Sequence, residues 1–209
     1  MNNRDYKICA PGEYYHIYNR GNGKQNIFQN TEDYKFFIKR LNFNLYPPEE
    51  DGETIRIQKL PPDSFSLLCY CLMPNHFHLL IKQNGNVSTS KLINKLCTSY
   101  SKFFNKKYDR VGHLFQGCFK QINVTDNEYL KWLSCYIHQN PKTAGLTKKL
   151  EDYRWSSYNQ HITGEGDIVC EPAIITDQFK NINEYKKFID DSLGVLMKKK
   201  EFDHILLDA

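Results

Sequence analysis

Two apolar runs meet at a turn in the stretch FSLLCYCLMPNHFHLLIKQ, residues 65–83. Each run has the length and apolar content of a strand, and Pro74 and Asn75 are typical turn residues. The stretch therefore predicts an antiparallel hairpin. Because alternate residues of a strand point to the same face, His76 and His78 should project together, opposite the apolar side chains between and after them.

The remaining segments predict an α+β fold around this hairpin. Strand formers in EYYHIYNRG (residues 13–21) precede a helical apolar spacing in TEDYKFFIKRLNFNLY (31–46). After the hairpin, a second helix is predicted over residues 86–108, a strand-like segment over 112–125 and a third helix over 125–141. The order β-α-β-β-α-β-α indicates an antiparallel sheet covered by helices.

The third helix has marked ends. Thr125 and Glu128 have the spacing of a capping box, and Pro141 predicts that the helix stops at or before Asn140. Two further segments are less regular: the acid-rich residues 47–64 read as a loop insertion or an edge strand, and residues 181–202 as one or two small helices. We expect a main domain over residues 1–160 and a helical extension over 161–209.

Composition predicts a soluble cytoplasmic protein. Hydrophobic residues make up 40% and aromatic residues 14% of the 209 residues, which argues against disorder. No apolar run approaches the ~20 residues of a membrane span, and the N-terminus lacks an export signal. The seven cysteines are odd in number and scattered, which favours reduced thiols.

Basic residues are concentrated between Ser88 and Val124, where Asp109 is the single acid although the net charge is only +4. Aromatic residues are interleaved with them, a composition suited to phosphate contacts and base stacking. The alternative is an amphipathic helix with a solvated lysine face. The candidate nucleic-acid contacts in this segment are Lys91, Lys95, Lys102, Lys106, Lys107 and Arg110.

The histidine pair has two interpretations. Two imidazoles on one strand face make a two-point metal site, but alternation also leaves polar residues on a solvated face. A third ligand is needed to decide. Tyr136 and Asn140 are four residues apart on the third helix and so share a face; Tyr136 could be a core residue, whereas a buried Asn140 needs hydrogen-bond partners.

The motifs in this order resemble the single-tyrosine HUH transposases, in particular the REP-associated tyrosine transposases. The resemblance runs from about Tyr14 to Tyr158 and is carried by YYHIYNRG, CLMPNHFHLLI, GHLFQGCFK, YIHQNPKTAG and YRWSSY. The acid-rich insertion, Lys142 after Pro141 and the C-terminal extension depart from the family pattern.

The resemblance implies a ferredoxin-like or RRM-like HUH endonuclease fold, with helices on one face of the sheet. By this resemblance His76, His78 and Asn140 would bind Mg²⁺ or Mn²⁺, and Tyr136 would be the nucleophile. The expected reaction is cleavage and rejoining of single-stranded DNA beside hairpins of a repetitive palindromic element, through a 5′-phosphotyrosine. The protein would act as a monomer or homodimer, without a membrane, in association with the nucleoid.

Other assignments stay open. Arg20, Lys24 and the neighbouring glycines fit phosphate contacts or a plain turn, and His16 and His138 are weak candidates for acid–base groups. One rival function is a zinc protein that uses Cys69 and Cys71 with the two strand histidines. The other is a non-catalytic, RRM-like module that binds single strands.

Overall fold

The computed structural model describes residues 10–48, 59–166, 168 and 170–196. The N-terminal residues 1–9, the alternating piece TIRIQ of the acid-rich insertion and the end of the C-terminal segment lie outside these ranges. The described part contains four strands, six α-helices and two short 3₁₀ turns.

The strands form one antiparallel sheet in the order β2-β3-β1-β4. They are β1 (Tyr14–Arg20), β2 (Phe65–Met73), β3 (His76–Gln83) and β4 (Lys120–Val124). This confirms the α+β class and the predicted hairpin, whose turn contains Pro74 and Asn75. The predicted strand over residues 112–125 is shorter than expected, because positive φ angles at Gly112 and Gly117 break the extended backbone before β4.

Six helices accompany the sheet: α1 (Thr31–Leu45), α2 (Thr89–Lys107), α3 (Asn127–Thr143), α4 (Tyr158–Thr163), α5 (Ala173–Thr176) and α6 (Ile182–Leu196). Within the described ranges, no helix combines the length and the apolarity that crossing a bilayer requires. The six described cysteines are all free thiols, in agreement with the expectation of reduced cysteines.

Helices cover both faces of the sheet, which corrects the predicted arrangement with helices on one face. One core lies under α1 and α2 and takes in Ile17, Phe77 and Leu79. A second core lies under α3 and α6 and takes in Leu80 and the β2 cysteines. The physical reason lies in β2, whose nine residues are all buried: a strand with two apolar faces must be covered on both.

Both ends of α3 differ from the prediction. The N-cap is Asp126, whose carboxylate accepts from the backbone N–H of Tyr129 at 2.7 Å, and not Thr125. The helix also continues past Pro141 to Thr143. Proline lacks a backbone N–H and so costs the helix one hydrogen bond to the carbonyl four residues earlier, but α3 still continues for two residues beyond it. Pro141 therefore did not stop α3 as predicted.

Buried polar contacts join α3 to the segments that follow it. His138 is fully buried, with one ring nitrogen 3.1 Å from the hydroxyl of Tyr185 and the other 2.9 Å from the hydroxyl of Ser157. Gln139 donates to the backbone carbonyl of Ile189 at 2.6 Å. The helix α6 therefore shares a core with α3, while the predicted domain boundary near residue 160 stays a prediction.

The buried His161 should make folding stability depend on pH. Burial lowers the pKa of His161 to about 4, from an ordinary value of 6.5, so the unfolded chain binds a proton more readily. The contribution of the buried, neutral His161 to the free energy of unfolding is complete above pH 6.5. It is lost as the pH falls towards 4, and the loss amounts to about 3 kcal/mol. Urea unfolding of wild type and His161→Gln between pH 4 and 7 measures this difference; equal pH dependence in the two proteins would contradict it.

Candidate active site

The two histidines of β3 lie in the protein interior. His76 is 1% and His78 0% exposed, and both lie on the face that α3 covers. Their shared orientation, opposite Phe77, agrees with the prediction from strand alternation. The solvated-face interpretation is wrong, because the sheet is buried on this side.

A third imidazole holds the ring of His78. His16, on the neighbouring strand β1, brings its Nε2 to 2.9 Å from His78 Nδ1, and the two rings stack with centroids 5.1 Å apart. His78 Nε2 is buried without a hydrogen-bond partner. Burial and the adjacent imidazoles hold the pKa of His78 well below its usual value, so the ring is neutral at pH 7, the form that binds metals.

His76 is oriented by its own neighbour in the turn. Its Nδ1 lies 2.6 Å from the side-chain oxygen of Asn75. An amide oxygen only accepts, so Nδ1 of His76 carries a proton, and in the neutral form of the ring the lone pair is on Nε2. The same arrangement, an Nδ1–H donated to oxygen with Nε2 available, is common among metal-binding histidines.

Tyr136 of α3 packs against the histidines. Its ring lies edge-on to the rings of His78 and His16, with centroids 5.6 and 6.4 Å away. The side chain is 7% exposed, so it belongs to the core and also reaches the edge of the histidine cluster. Of the two β3 histidines to which this helix was expected to bring a tyrosine, Tyr136 contacts the ring of His78.

Asn140 lies one turn further along α3. Its Nδ2 donates to the backbone carbonyl of Tyr136 at 2.9 Å, which directs Oδ1 away from the helix backbone as an acceptor. The segment after α3 meets the start of β3 in a cleft of about 220 Å³, which is lined by Asn75 and His76 together with Ala144 and Leu146. The last turn of α3 is thus next to the histidine end of β3.

The residues present fit a divalent cation. The candidate ligand atoms are the buried, unpartnered Nε2 of His78, the oriented ring of His76 and the amide oxygen of Asn140, which are two nitrogens and one oxygen. Such a set leaves positions open for phosphate oxygens. His138, the other weak acid–base candidate, faces Ser157 and Tyr185 and contributes nothing to this cluster.

Neither rival interpretation fits as well. In the described ranges, no three His, Cys, Asp or Glu side chains come together as a metal site. Burial raises the pKa of Cys69 and Cys71, which disfavours the thiolates that zinc requires. An RRM-like module needs an open sheet face for stacking bases, and α3 with α6 covers this face.

The predicted basic residues divide into several groups. Lys107 is held by Asp33 at 2.8 Å and by Glu32 at 2.9 Å, and it ties α2 to the start of α1, so its assignment as a DNA contact stays a prediction. Arg110 donates to Asn105 and Gln25. The other α2 lysines lie in the helical layer across the sheet from the histidines, and Lys91, Lys102 and Lys106 are exposed there.

Arg20 and Lys24 have different surroundings. Lys24 is exposed in the turn after β1, where nothing distinguishes a phosphate contact from a plain turn. Arg20 pairs with His76 in the β1–β3 register. Of these two predicted phosphate contacts, Arg20 is therefore the one that lies on the strand beside the histidines.

Sequence reasoning underrated His16 and left Tyr18 out. Both lie on β1 two residues apart, and Tyr18 pairs with His78 across the sheet. The alternation in YYHIYNR shows that they share a face. Only the strand register places that face beside β3.

Comparisons with known proteins relate this chain to a family of transposases. A family model described as "Transposase IS200 like" matches residues 49–140. This chain resembles the IS200-like transposases. The match ends on Asn140 and includes the histidine pair and Tyr136, and it confirms the resemblance inferred from the motifs.

Individual relatives of this transposase-like chain are distant. A curated Haemophilus influenzae protein, named as a candidate REP-associated tyrosine transposase, is 23% identical over 113 residues, which cover 48% of this chain and 63% of the relative. A solved structure of a REP-associated tyrosine transposase bound to a REP hairpin matches with a TM-score of 0.56 at 15% identity. It covers 82% of this chain and 93% of that one, and the likeness supports the fold.

His16 should act as a positioning residue for a metal ligand. In His16→Phe the ring volume is kept but the hydrogen bond to His78 is lost, so the full chain should bind Mn²⁺ at least about tenfold more weakly. Electron paramagnetic resonance titration measures this affinity. The exposed His113→Gln is the matched control, thermal unfolding checks the fold, and an unchanged affinity in folded His16→Phe would contradict the assignment.

Proposed function

We propose that this protein is a metal-dependent tyrosine transposase that cleaves and rejoins single-stranded DNA next to a hairpin. The observation that carries the proposal is the packing of the Tyr136 ring against His78 and His16 beside an unpartnered imidazole nitrogen. The hairpin partner is proposed from the solved relative, whose description names one.

The cation would be Mg²⁺ or Mn²⁺, held by His76, His78 and Asn140. When bound, a divalent cation polarises the scissile phosphate and stabilises charge on the leaving 3′ oxygen. The protein's part is to orient the imidazoles: Asn75 fixes the ring of His76 and His16 fixes the ring of His78. Because these ligands carry no charge, the site repels an anionic phosphate less than a carboxylate site would.

Tyr136 would attack the scissile phosphorus through its phenolic oxygen. A bond forms between that oxygen and phosphorus, and the bond from phosphorus to the 3′ oxygen breaks, which gives a 5′-phosphotyrosine and a 3′-OH. The phenol gives up one proton and the 3′ oxygen takes one up, so no proton is gained or lost overall. The covalent intermediate keeps the bond energy for rejoining, and no ATP is required.

The packing around Tyr136 supports a positioning role for the second core. Its neighbours Ile137 and His138 are fully buried against α6 and the residues after α3. Because these neighbours are tightly packed, the helix around Tyr136 moves little. A nucleophile that moves little loses less entropy when it reaches the phosphate.

The nucleophile assignment is tested by covalent trapping. Labelled single-stranded oligonucleotides that carry hairpins, incubated with the full chain and Mn²⁺, should give a protein–DNA adduct that resists denaturation. Tyr136→Phe removes only the hydroxyl and should abolish the adduct, while His78→Ala should reduce it by at least about a hundredfold. The adduct is measured on denaturing gels.

Tyr129→Phe, on the same helix, is the matched control and should form the adduct normally. An adduct in Tyr136→Phe at the wild-type level would overturn the assignment. Mass spectrometry of the trapped peptide identifies the modified residue independently.

The α2 lysines should bind the hairpin stem through its phosphates. Lys102 is exposed. In Lys102→Ala the plot of log affinity against log salt concentration should become less steep, its slope smaller in magnitude by about one. Lys107→Met is the control, since Asp33 and Glu32 already hold this lysine. Fluorescence anisotropy with a hairpin oligonucleotide gives both slopes, and equal slopes for Lys102→Ala and wild type would remove α2 from the interface.

A further inference from the structure

A small cleft lies beside the candidate active site on the same face of the sheet. On β1, His16, Tyr18 and Arg20 alternate onto the face that carries His76 and His78. On β4, Lys120 pairs with Tyr18, and directly opposite residues of an antiparallel pair point to the same side. One row across three strands therefore runs from His78 through Tyr18 to Lys120.

Tyr18 is the wall that the cleft and the histidine cluster share. Its ring lies 5.8 Å from the ring of His78 and 4.9 Å from the ring of His16, measured between centroids. The other side of Tyr18 lines the cleft together with Asn19, Arg20, Gln116, Cys118 and Lys120. A chain that lies in this cleft would thus pass directly beside the proposed metal ligands.

The cleft is cationic and polar. Arg20 and Lys120 are among its lining residues, and no acidic side chain is. Arg20 is held in place by Gln116, whose Oε1 accepts from its Nε at 2.6 Å. Lys120 is exposed, and no carboxylate in the described part of the chain forms an ion pair with it.

The size of the cleft restricts its occupant. Its volume is about 120 Å³, below the ~300–1,000 Å³ of typical small-molecule pockets. A phosphate with part of its sugar fits such a space, whereas a stacked base pair does not. Amide and cationic side chains are the groups that contact a nucleic-acid backbone.

Most of the cations predicted to contact DNA lie away from this face, and Arg20 is the exception. The α2 lysines lie in the layer across the sheet, and Lys107 is taken up by Asp33 and Glu32. A strand cleaved at Tyr136 carries further phosphates on either side of the cut. Arg20 and Lys120 are the cations that the sheet register places next to that point.

We propose that this β1–β4 cleft binds the sugar–phosphate backbone of the single-stranded DNA next to the cleavage site, with Arg20 and Lys120 contacting its phosphates. The proposal rests on the proposed function, because it takes Tyr136 as the point of cleavage. Lys120 is a phosphate-binding residue in this assignment. Tyr18 separates the backbone path from the metal ligands.

Cys118 provides a direct test, because it is exposed and lines the cleft. The full chain with Tyr136→Phe, which cannot cleave, is mixed with a hairpin oligonucleotide that carries a disulfide-activated thiol on one backbone phosphate. The thiol is moved along successive phosphates on both sides of the cleavage junction. A disulfide to Cys118, mapped by peptide mass spectrometry, is expected at phosphates near the junction and at none in the stem.

The matched controls separate the cleft from other thiols. Cys118→Ser should abolish the cross-link, while Cys97→Ser, on α2 in the opposite layer, should leave it unchanged. Cross-linking that is equal at junction and stem phosphates, or that maps to another cysteine, would overturn the proposal. So would the absence of any cross-link while the complex is formed.

The charge contacts are tested separately. Lys120→Ala should raise the KM for adduct formation and keep the adduct yield at saturating DNA. The slope of log affinity against log salt concentration should become smaller in magnitude by about one. Lys35→Ala, an exposed lysine on α1 in the opposite layer, is the control and should change none of these. A Lys120→Ala protein that behaves like Lys35→Ala would contradict the assignment.

The two proposals fail in different ways. If the chain is no transposase, wild type forms no adduct under any condition. If only the cleft assignment is wrong, wild type and Lys120→Ala form adduct with the same KM and the same salt dependence.

Discussion

A hydrogen bond between two fully buried imidazoles, His16 and His78, is the contact on which the candidate site depends. A buried polar atom that loses its hydrogen-bond partner costs about 1–3 kcal/mol, so this contact favours one arrangement of the two rings. This pair forms only if β1 lies beside β3 in the observed register. The order of the strands therefore determines how the His78 ring is oriented. That orientation leaves Nε2 of His78 without a hydrogen-bond partner.

The two faces of the sheet pack against different cores, and the candidate site lies on one of them. The core under α1 and α2 is built from aliphatic and aromatic side chains, and its main polar contact is the Asp33–Lys107 pair between the two helices. The core under α3 holds the histidines and Tyr136 and is fixed by polar contacts to α6. Because α6 packs against the far side of α3, the position of Tyr136, the proposed nucleophile, does not depend on the substrate.

Local patterns predicted the elements well and some of their ends poorly. The hairpin, β1 and the first two helices follow from alternation and helical spacing within each segment. The end of α3 did not: the loss of one backbone N–H at Pro141 was expected to stop the helix, but α3 runs two residues further, to Thr143. The residues before β4 look like a strand in composition, but glycines with positive φ give them another backbone.

The sequence by itself determined that His76 and His78 share a strand face and that Tyr136 and Asn140 share a helix face, because these relations depend on spacings of two and four residues. Only the tertiary structure decided that the histidine face is buried, that His16 joins it across 62 residues of sequence, and that Lys107 pairs with Asp33 across 74. Strand register and charge pairing arise from packing between distant segments, so no local spacing encodes them. The role of a charged or polar side chain depends on those partners.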